Sequence, residues 1–170
     1  MDCLKGPDNP ETKEERITRL IKDYQIPLKR MCCVWLKDST LAEDAVQETF
    51  LKAYGALDDF RGECSEKTWL IRIAVNACRN MKRGWWYGHV DRSVDIALLP
   101  EAAVPFEEKD DSLLHAVTSL PGKLREITLL YYYQDMSMSE ISEILSISVS
   151  TVSRRLESAR KQLRRQLERE

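Results

Sequence analysis

The sequence has no strand-like alternation over any useful length and no internal repeat. No apolar run approaches the roughly 20 residues a membrane span requires, and the N-terminus has no signal-peptide core. No glycine-rich phosphate loop and no nucleophile–base pair are present, which leaves an enzyme reading without support. The only two histidines, His89 and His115, stand apart in company that suits neither a metal site nor a catalytic dyad. Five cysteines (Cys3, Cys32, Cys33, Cys64, Cys78) make an odd number without C-x-x-C spacing. Free thiols fit a reducing compartment, and Cys32 with Cys33 read as small apolar residues of a helix; a redox switch is the minor alternative. The expectation is a soluble, cytoplasmic, all-α protein without metal, cofactor or small-molecule substrate.

Charge is plentiful and unevenly placed, although the formal net charge is only −2. From Val149 onward seven basic residues face three acidic ones, whereas from His89 to Asp111 seven acidic residues face two basic ones. Such asymmetry predicts a DNA-facing end joined through an acidic connector. The connector, residues 89–111, contains Pro100 and Pro105 and no sustained periodicity. It divides the chain into 1–88 and 112–170.

In the first block, Ile17, Leu20 and Ile21 recur at helical spacing, and Pro27 starts or bends a second helix running to Trp35. Asp38, Ser39 and Thr40 break it. A helix over 41–54 buries Ala42, Ala45, Val46, Phe50 and Ala53 and leaves Glu43, Asp44, Gln47, Glu48 and Lys52 outside. Gly55 and the polar run 58–67 form a loop interrupted by Phe60. Thr68 caps a helix over 69–83, ended by Gly84. That helix has a core face (Trp69, Leu70, Ile73, Ala74, Ala77, Cys78, Met81) and a second row, Arg72, Asn76, Arg79 and Arg83, flanked by Asn80 and Lys82.

The second block starts with Asp111 or Ser112 as N-cap. Leu113, Ala116, Val117 and Leu120 form its first stripe, and Pro121-Gly122 ends that helix. Leu124, Ile127, Leu130 and Tyr131 mark the next. Ser137 and Glu140 make a capping box for a short helix whose Ile141, Ile144 and Leu145 face inward. After a turn at Ser146–Ser148, the last helix is anchored by Val149, Val152, Leu156, Ala159, Leu163 and Leu167. Its other side offers Ser150, Thr151, Ser153, Arg154, Glu157, Arg160, Lys161 and Arg164. A short helix, a tight turn and a longer basic helix are what a helix-turn-helix needs to enter the major groove.

With both blocks in view, the chain resembles bacterial RNA polymerase sigma factors of the sigma-70 family, extracytoplasmic-function (ECF) group. AEDAVQETFLKAYGALDDFRG followed by TWLIRIAVNACRN resembles their region two. LPGKLREITLLYYYQDMSMSEISEILSISVSTVSRRLESARKQLRRQL resembles their region four. Together these cover most of residues 24–83 and 112–167. The chain departs from the family at Ser146, where the turn usually has Gly. It departs again at Ser150-Thr151, usually Gly-Thr, and at Ser153-Arg154, often Lys-Ser.

The resemblance implies an all-helical, two-domain subunit that binds core RNA polymerase, through its β and β′ subunits, and promoter DNA. It initiates transcription of a stress or envelope regulon. Glu43, Asp44, Gln47 and Glu48 would dock on the polymerase. Arg72, Arg79, Lys82 and Arg83 would hold phosphates at the −10 element, and Asn76 and Asn80 would reach base edges. Phe60 and Arg61 would hold an extruded base, with a core contact as the other reading of Phe60. Trp69 reads as core. Trp85, Trp86 and Tyr87 either stack on bases or pack against the connector or a partner. Ser150, Thr151, Ser153 and Arg154 would read the −35 element while Arg155, Arg160 and Lys161 hold phosphate. An anti-sigma factor is implied as a partner of this cytoplasmic protein, and it could hold the protein at the membrane. The rival from another class is a stand-alone dimeric helix-turn-helix regulator.

Overall fold

The computed structural model describes residues 11–86 and 111–168. Among them no strand occurs. The expected connector lies, except for Asp111, outside the described residues, as do His89 and Tyr87.

The N-terminal unit is three helices and a short turn: α1 (Lys13–Leu36), α2 (Ser39–Ala56), a 3-10 turn (Leu57–Asp59) and α3 (Glu66–Trp86). Helix α1 begins in a capping box, Thr12 with Glu15. It runs unbroken through Pro27, so Pro27 does not start a second helix. Proline removes one donor and crowds the preceding turn. Burial of Leu28, Met31, Cys32, Cys33, Val34 and Trp35 beyond it offsets that cost. Lys37 then takes a left-handed conformation (φ 57°) and Asp38 caps α2, accepting the Leu41 N–H at 2.9 Å. The cap moves the start of α2 two residues ahead of the expected 41, and Gly55 lies inside the helix rather than ending it.

Helix α3 also begins earlier than expected. Ser65, not Thr68, supplies the cap, its hydroxyl accepting the Thr68 N–H at 3.0 Å. Gly84 does not terminate α3, which continues to Trp86. The first-turn carboxylate Glu66 receives Arg16 and Arg19 from α1, both at 2.9 Å. This fixes the α3 N-terminus against α1. The two guanidiniums hold the Glu66 carboxyl below its ordinary range.

The C-terminal unit comprises α4 (Asp111–Ser119), α5 (Gly122–Thr128), a π turn (Leu129–Tyr133), α6 (Met138–Leu145) and α7 (Val149–Leu167). Asp111 and Ser112 are already helical, so neither is the N-cap of α4. Pro121 ends α4 and leads into α5. The π turn is closed by the Gln134 N–H on the Leu129 carbonyl at 3.1 Å. The Ser137–Glu140 capping box is present in both directions. Val149 and Leu167, expected to anchor α7, are exposed instead. Val149 sits one residue into the helix, before the stripe of Val152, Leu156 and Ala159 has turned inward, and Leu167 is its last residue.

Between α6 and α7, Ser146 is left-handed (φ 54°, ψ 48°), and the Ile147 N–H reaches the Ser142 carbonyl at 3.0 Å. This is the helix-ending arrangement that glycine favours. Ser146→Gly is expected to stabilise the protein by about 0.5–1 kcal/mol, backbone strain relieved less the entropy glycine adds to the unfolded chain. Chemical denaturation measures it; a loss of stability would show that Ser146 is unstrained.

Candidate nucleic-acid interface

Helix α3 presents Arg72, Asn76, Asn80 and Arg83 on one exposed side. Arg83 is held to Asn80, its guanidinium donating to Asn80 Oδ1 at 2.9 Å. Arg79 and Lys82 are only half-exposed and turn toward the C-terminal unit. They lie near Glu126 of α5, whose carboxyl burial raises and these cations lower. Burial pulls the Lys82 ammonium down from its ordinary range. The row of cations expected on one face is thus divided between solvent and the second unit. Ile71 and Val75, buried on α3, were missing from the expected core face. A helix gripped by one partner shows one apolar stripe, whereas α3 meets neighbours on two sides.

Phe60 and Arg61 follow the 3-10 turn. The Phe60 ring is half-buried and stacks on Trp69, with centroids 4.7 Å apart and planes at 28°. The Arg16 guanidinium lies 5.3 Å from the Phe60 centroid. Phe60, Arg61, Glu63, Cys64, Trp69 and Arg72 line an open cleft of about 390 Å³, closed on one side by Glu143 of α6. The aromatic residues of this cleft support each other, so both ascribed features of Phe60, packing and proximity to the cleft, occur in one side chain.

In α7, Ser148 is the N-cap and accepts the Thr151 N–H at 3.2 Å. Ser150, Ser153 and Arg154 are exposed beside it. Thr151 is half-buried and its hydroxyl is 2.8 Å from Ser148 Oγ, which commits it to the cap. Arg155 is half-buried, close enough to Glu126 to lower that carboxyl. Arg160 donates to the Tyr132 hydroxyl at 2.6 Å, and Lys161 pairs with Glu157 at 2.9 Å. Arg154 has no ion-pair partner among the described residues, and it stands next to the helix end that carries the free N–H groups.

On α2, Glu43, Asp44 and Gln47 are exposed and Glu48 is half-exposed, as expected. Glu43 pairs with Lys29 at 2.6 Å and Glu48 with Lys52. The structure adds Leu51, 75% exposed, and Tyr54, 41% exposed. They follow Asp44, Gln47 and Glu48 on the helix at three- and four-residue steps, so one patch combines acid and apolar area. The sequence signal was there: Leu51 falls off the buried stripe set by Val46, Phe50 and Ala53.

Among the described residues no group of His, Cys, Asp and Glu is placed to hold a metal ion. Cys32, Cys33, Cys64 and Cys78 are free thiols. Cys32 and Cys78 are buried with sulfurs 3.5 Å apart; their contact and burial hold the Cys32 thiol protonated, and burial pushes Cys33 up to about 11. None of the described helices is long and apolar enough to cross a membrane.

Comparison with known proteins agrees with this layout. Residues 20–86 match the family described as Sigma-70 region 2, and residues 110–163 match Sigma-70, region 4. The chain is 30% identical over 168 residues to the ECF RNA polymerase sigma factor SigW of Bacillus subtilis, covering 91% of this chain and 90% of that one. It is 35% identical over 133 residues to the ECF RNA polymerase sigma-E factor of Escherichia coli, covering 69% of each. Among solved structures, CnrH in complex with the cytosolic domain of CnrY superposes with a TM-score of 0.68 at 25% identity, covering 92% of this chain and 90% of that chain. The sigma factor RpoE of Bartonella quintana, solved with the anti-sigma factor NepR, shares the fold (TM-score 0.74, 21% identity, 90% and 97% covered). Both matched regions lie in one chain in the order expected, which favours a polymerase subunit over a stand-alone regulator. The chain belongs to the ECF group of the sigma-70 family, alternative sigma factors, not enzymes, that bind core RNA polymerase and promoter DNA and initiate transcription.

Proposed function

We propose that the chain divides this work among three surfaces. The exposed side of α3 takes the −10 element: Arg72 and Arg83 hold phosphate, Asn76 and Asn80 meet base edges, and the Phe60–Arg61 cleft receives an extruded base. Arg79 and Lys82 join them once their surroundings open. The first turns of α7 take the −35 element, with Ser150, Ser153 and Arg154 at the bases, Thr151 fixing the helix end, and Arg155, Arg160 and Lys161 at the backbone. The α2 patch around Asp44, Gln47, Glu48 and Leu51, with Glu43 at its border, docks on core polymerase. The observation that carries this reading is the coexistence of two separate polar, cationic helix faces in one chain with an acidic-apolar third.

Strand separation by this device needs no catalytic group. Bases leave the stack at a cost of a few kcal/mol, and capture in the cleft offsets it. The protein is not itself an enzyme and works in the cytoplasm, beside polymerase and chromosome. An anti-sigma protein binds and restrains it; the solved relative RpoE was crystallised in complex with the anti-sigma factor NepR. Its regulon answers envelope or other stress.

Asn76→Ala tests the assignment. With core polymerase on promoter templates, open-complex formation should fall about tenfold, the worth of one base-edge contact of ~1–2 kcal/mol. Binding to core should be unchanged. Loss of core binding, or opening at the wild-type rate, would remove Asn76 from the −10 surface.

A further inference from the structure

Three consecutive tyrosines, Tyr131, Tyr132 and Tyr133, close the π turn that leads from α5 toward α6. Tyr131 and Tyr133 are half-buried and pack against the core. Tyr132 between them is 46% exposed. Its ring meets Tyr131 edge-on, with centroids 4.9 Å apart and planes at 80°. Arg160 of α7 lies over both rings, its guanidinium carbon 6.0 Å from the Tyr131 centroid and 5.8 Å from that of Tyr132. Arg160 Nε donates to the Tyr132 hydroxyl at 2.6 Å. A π turn inside a helix is a frequent mark of a functional position, and nothing in the core requires this ring at the surface.

The three cations assigned to the −35 backbone differ in what holds them. Lys161 is paired with Glu157. Arg155 is half-buried and close to Glu126. A carboxylate beside a cation cancels much of the attraction it offers to phosphate. Arg160 is exposed and is held by a neutral phenol, which fixes the guanidinium without cancelling its charge. Glu157 is near enough to feel Arg160 but spends its carboxylate on Lys161. The bond to Tyr132 uses Nε and not the terminal amino groups, the pair that grips phosphate oxygens in parallel.

Placement along α7 agrees. Arg160 follows Ser153 by seven residues, two helical turns, so the two share one strip of the helix, about 10 Å apart along its axis. The major groove is about 12 Å wide. A helix that brings Ser153 to the base edges therefore brings Arg160 to the wall of the groove, where the phosphates run.

Resting on the assignment of α7 to the −35 element, we propose that Tyr132 is a positioning residue for promoter binding: its hydroxyl and the Tyr131–Tyr132 ring pair hold the Arg160 guanidinium in place to grip a phosphate beside the −35 bases. A free arginine gives up rotamer freedom when it binds, and one already held gives up less. The arrangement adds affinity at the −35 element without adding base preference, because phosphates carry no sequence.

The test uses holoenzyme assembled from core polymerase and the full chain: wild type, Tyr132→Phe, Arg160→Ala or both. Each is titrated, at a temperature too low for strand opening, with a promoter that the wild type transcribes, across about 50–200 mM salt. Tyr132→Phe keeps the exposed ring and loses one hydroxyl, so the unfolding midpoint of the chain should stay within about 2 °C of wild type. Tyr132→Phe should nevertheless weaken promoter binding about fivefold, the worth of one hydrogen bond. Its salt slope should equal that of the wild type, because a phenol displaces no counterion. Arg160→Ala should weaken binding at least as much and make the slope shallower by about 0.9, one phosphate fewer. In the Arg160→Ala background, Tyr132→Phe should cost less than about twofold, since the residue to be aimed is gone. Both losses should persist unchanged on a template with altered −35 bases.

Wild-type affinity for Tyr132→Phe overturns the positioning role. A fivefold loss that survives in the Arg160→Ala background also overturns it, because Tyr132 would then act through the fold alone. So does an unaltered salt slope for Arg160→Ala, or a loss that depends on the −35 bases. The −35 assignment itself fails separately: altered −35 bases and Arg154→Ala would then both leave binding at the wild-type level, and the role of Tyr132 would fall with it.

Discussion

Arg125→Ala is expected to destabilise the C-terminal unit by about 3–5 kcal/mol, the loss of two or three charge-assisted hydrogen bonds in a site water does not reach. Arg125 is 5% exposed. Its guanidinium donates to the Thr118 carbonyl at 2.9 Å, the Leu120 carbonyl at 3.0 Å and the Trp35 carbonyl at 3.3 Å. The first two belong to the end of α4, where helical carbonyls run out of N–H partners and Pro121 has none to offer. A single side chain from α5 therefore caps α4, and it reaches the end of α1 as well. Burial lowers the Arg125 pKa from its ordinary value, the electrostatic sign of a cation held away from water. Alanine would leave carbonyls unpaired and a cavity beside Trp35. The shift in denaturation midpoint measures the effect. Arg125→Lys, which has no planar fork to span three carbonyls, should recover less than half of it. A loss under about 1 kcal/mol for the alanine variant would mean that the α4 carbonyls find other donors.

The second large effect is expected at Leu51. Leucine with 75% of its surface exposed loses little folding energy when truncated, and alanine is the better helix former. Leu51→Ala should therefore leave stability within about 0.5 kcal/mol of wild type. Binding to core polymerase should weaken by at least ~2 kcal/mol, roughly 30-fold, if Leu51 is the apolar centre of the α2 patch. The neighbouring Asp44, Gln47 and Glu48 form its polar surround, where single truncations should each cost less. Titration of labelled variant against core polymerase reads both. Equal affinity for Leu51→Ala and wild type would move the docking surface away from α2.

Much of the architecture was legible in the residues. The buried faces of α2 and α7 follow the 3.6-residue period, because one side of each helix meets the core and the other meets water. The Ser137–Glu140 capping box was visible as a pair at fixed spacing, since its bonds are local. Local rules failed where a competing cap or a distant partner took over. Pro27 does not break α1, because burial of the following two turns outweighs one missing donor. Thr68 yields the α3 cap to Ser65 and spends its hydroxyl on Glu140, 72 residues away. Gly84 is passed over by α3.

The amino-acid sequence determined the helical class, the placement of two cationic faces and an acidic one, and the family, because each is a matter of periodicity and residue type within one segment. Only the tertiary structure decided which of those side chains are available. Arg72 stands against Glu143, Arg79 and Lys82 turn toward Glu126, and Arg125 becomes a buried cap. Such pairings join residues far apart in the chain, and their energies depend on distance and burial, which no local pattern of residues encodes.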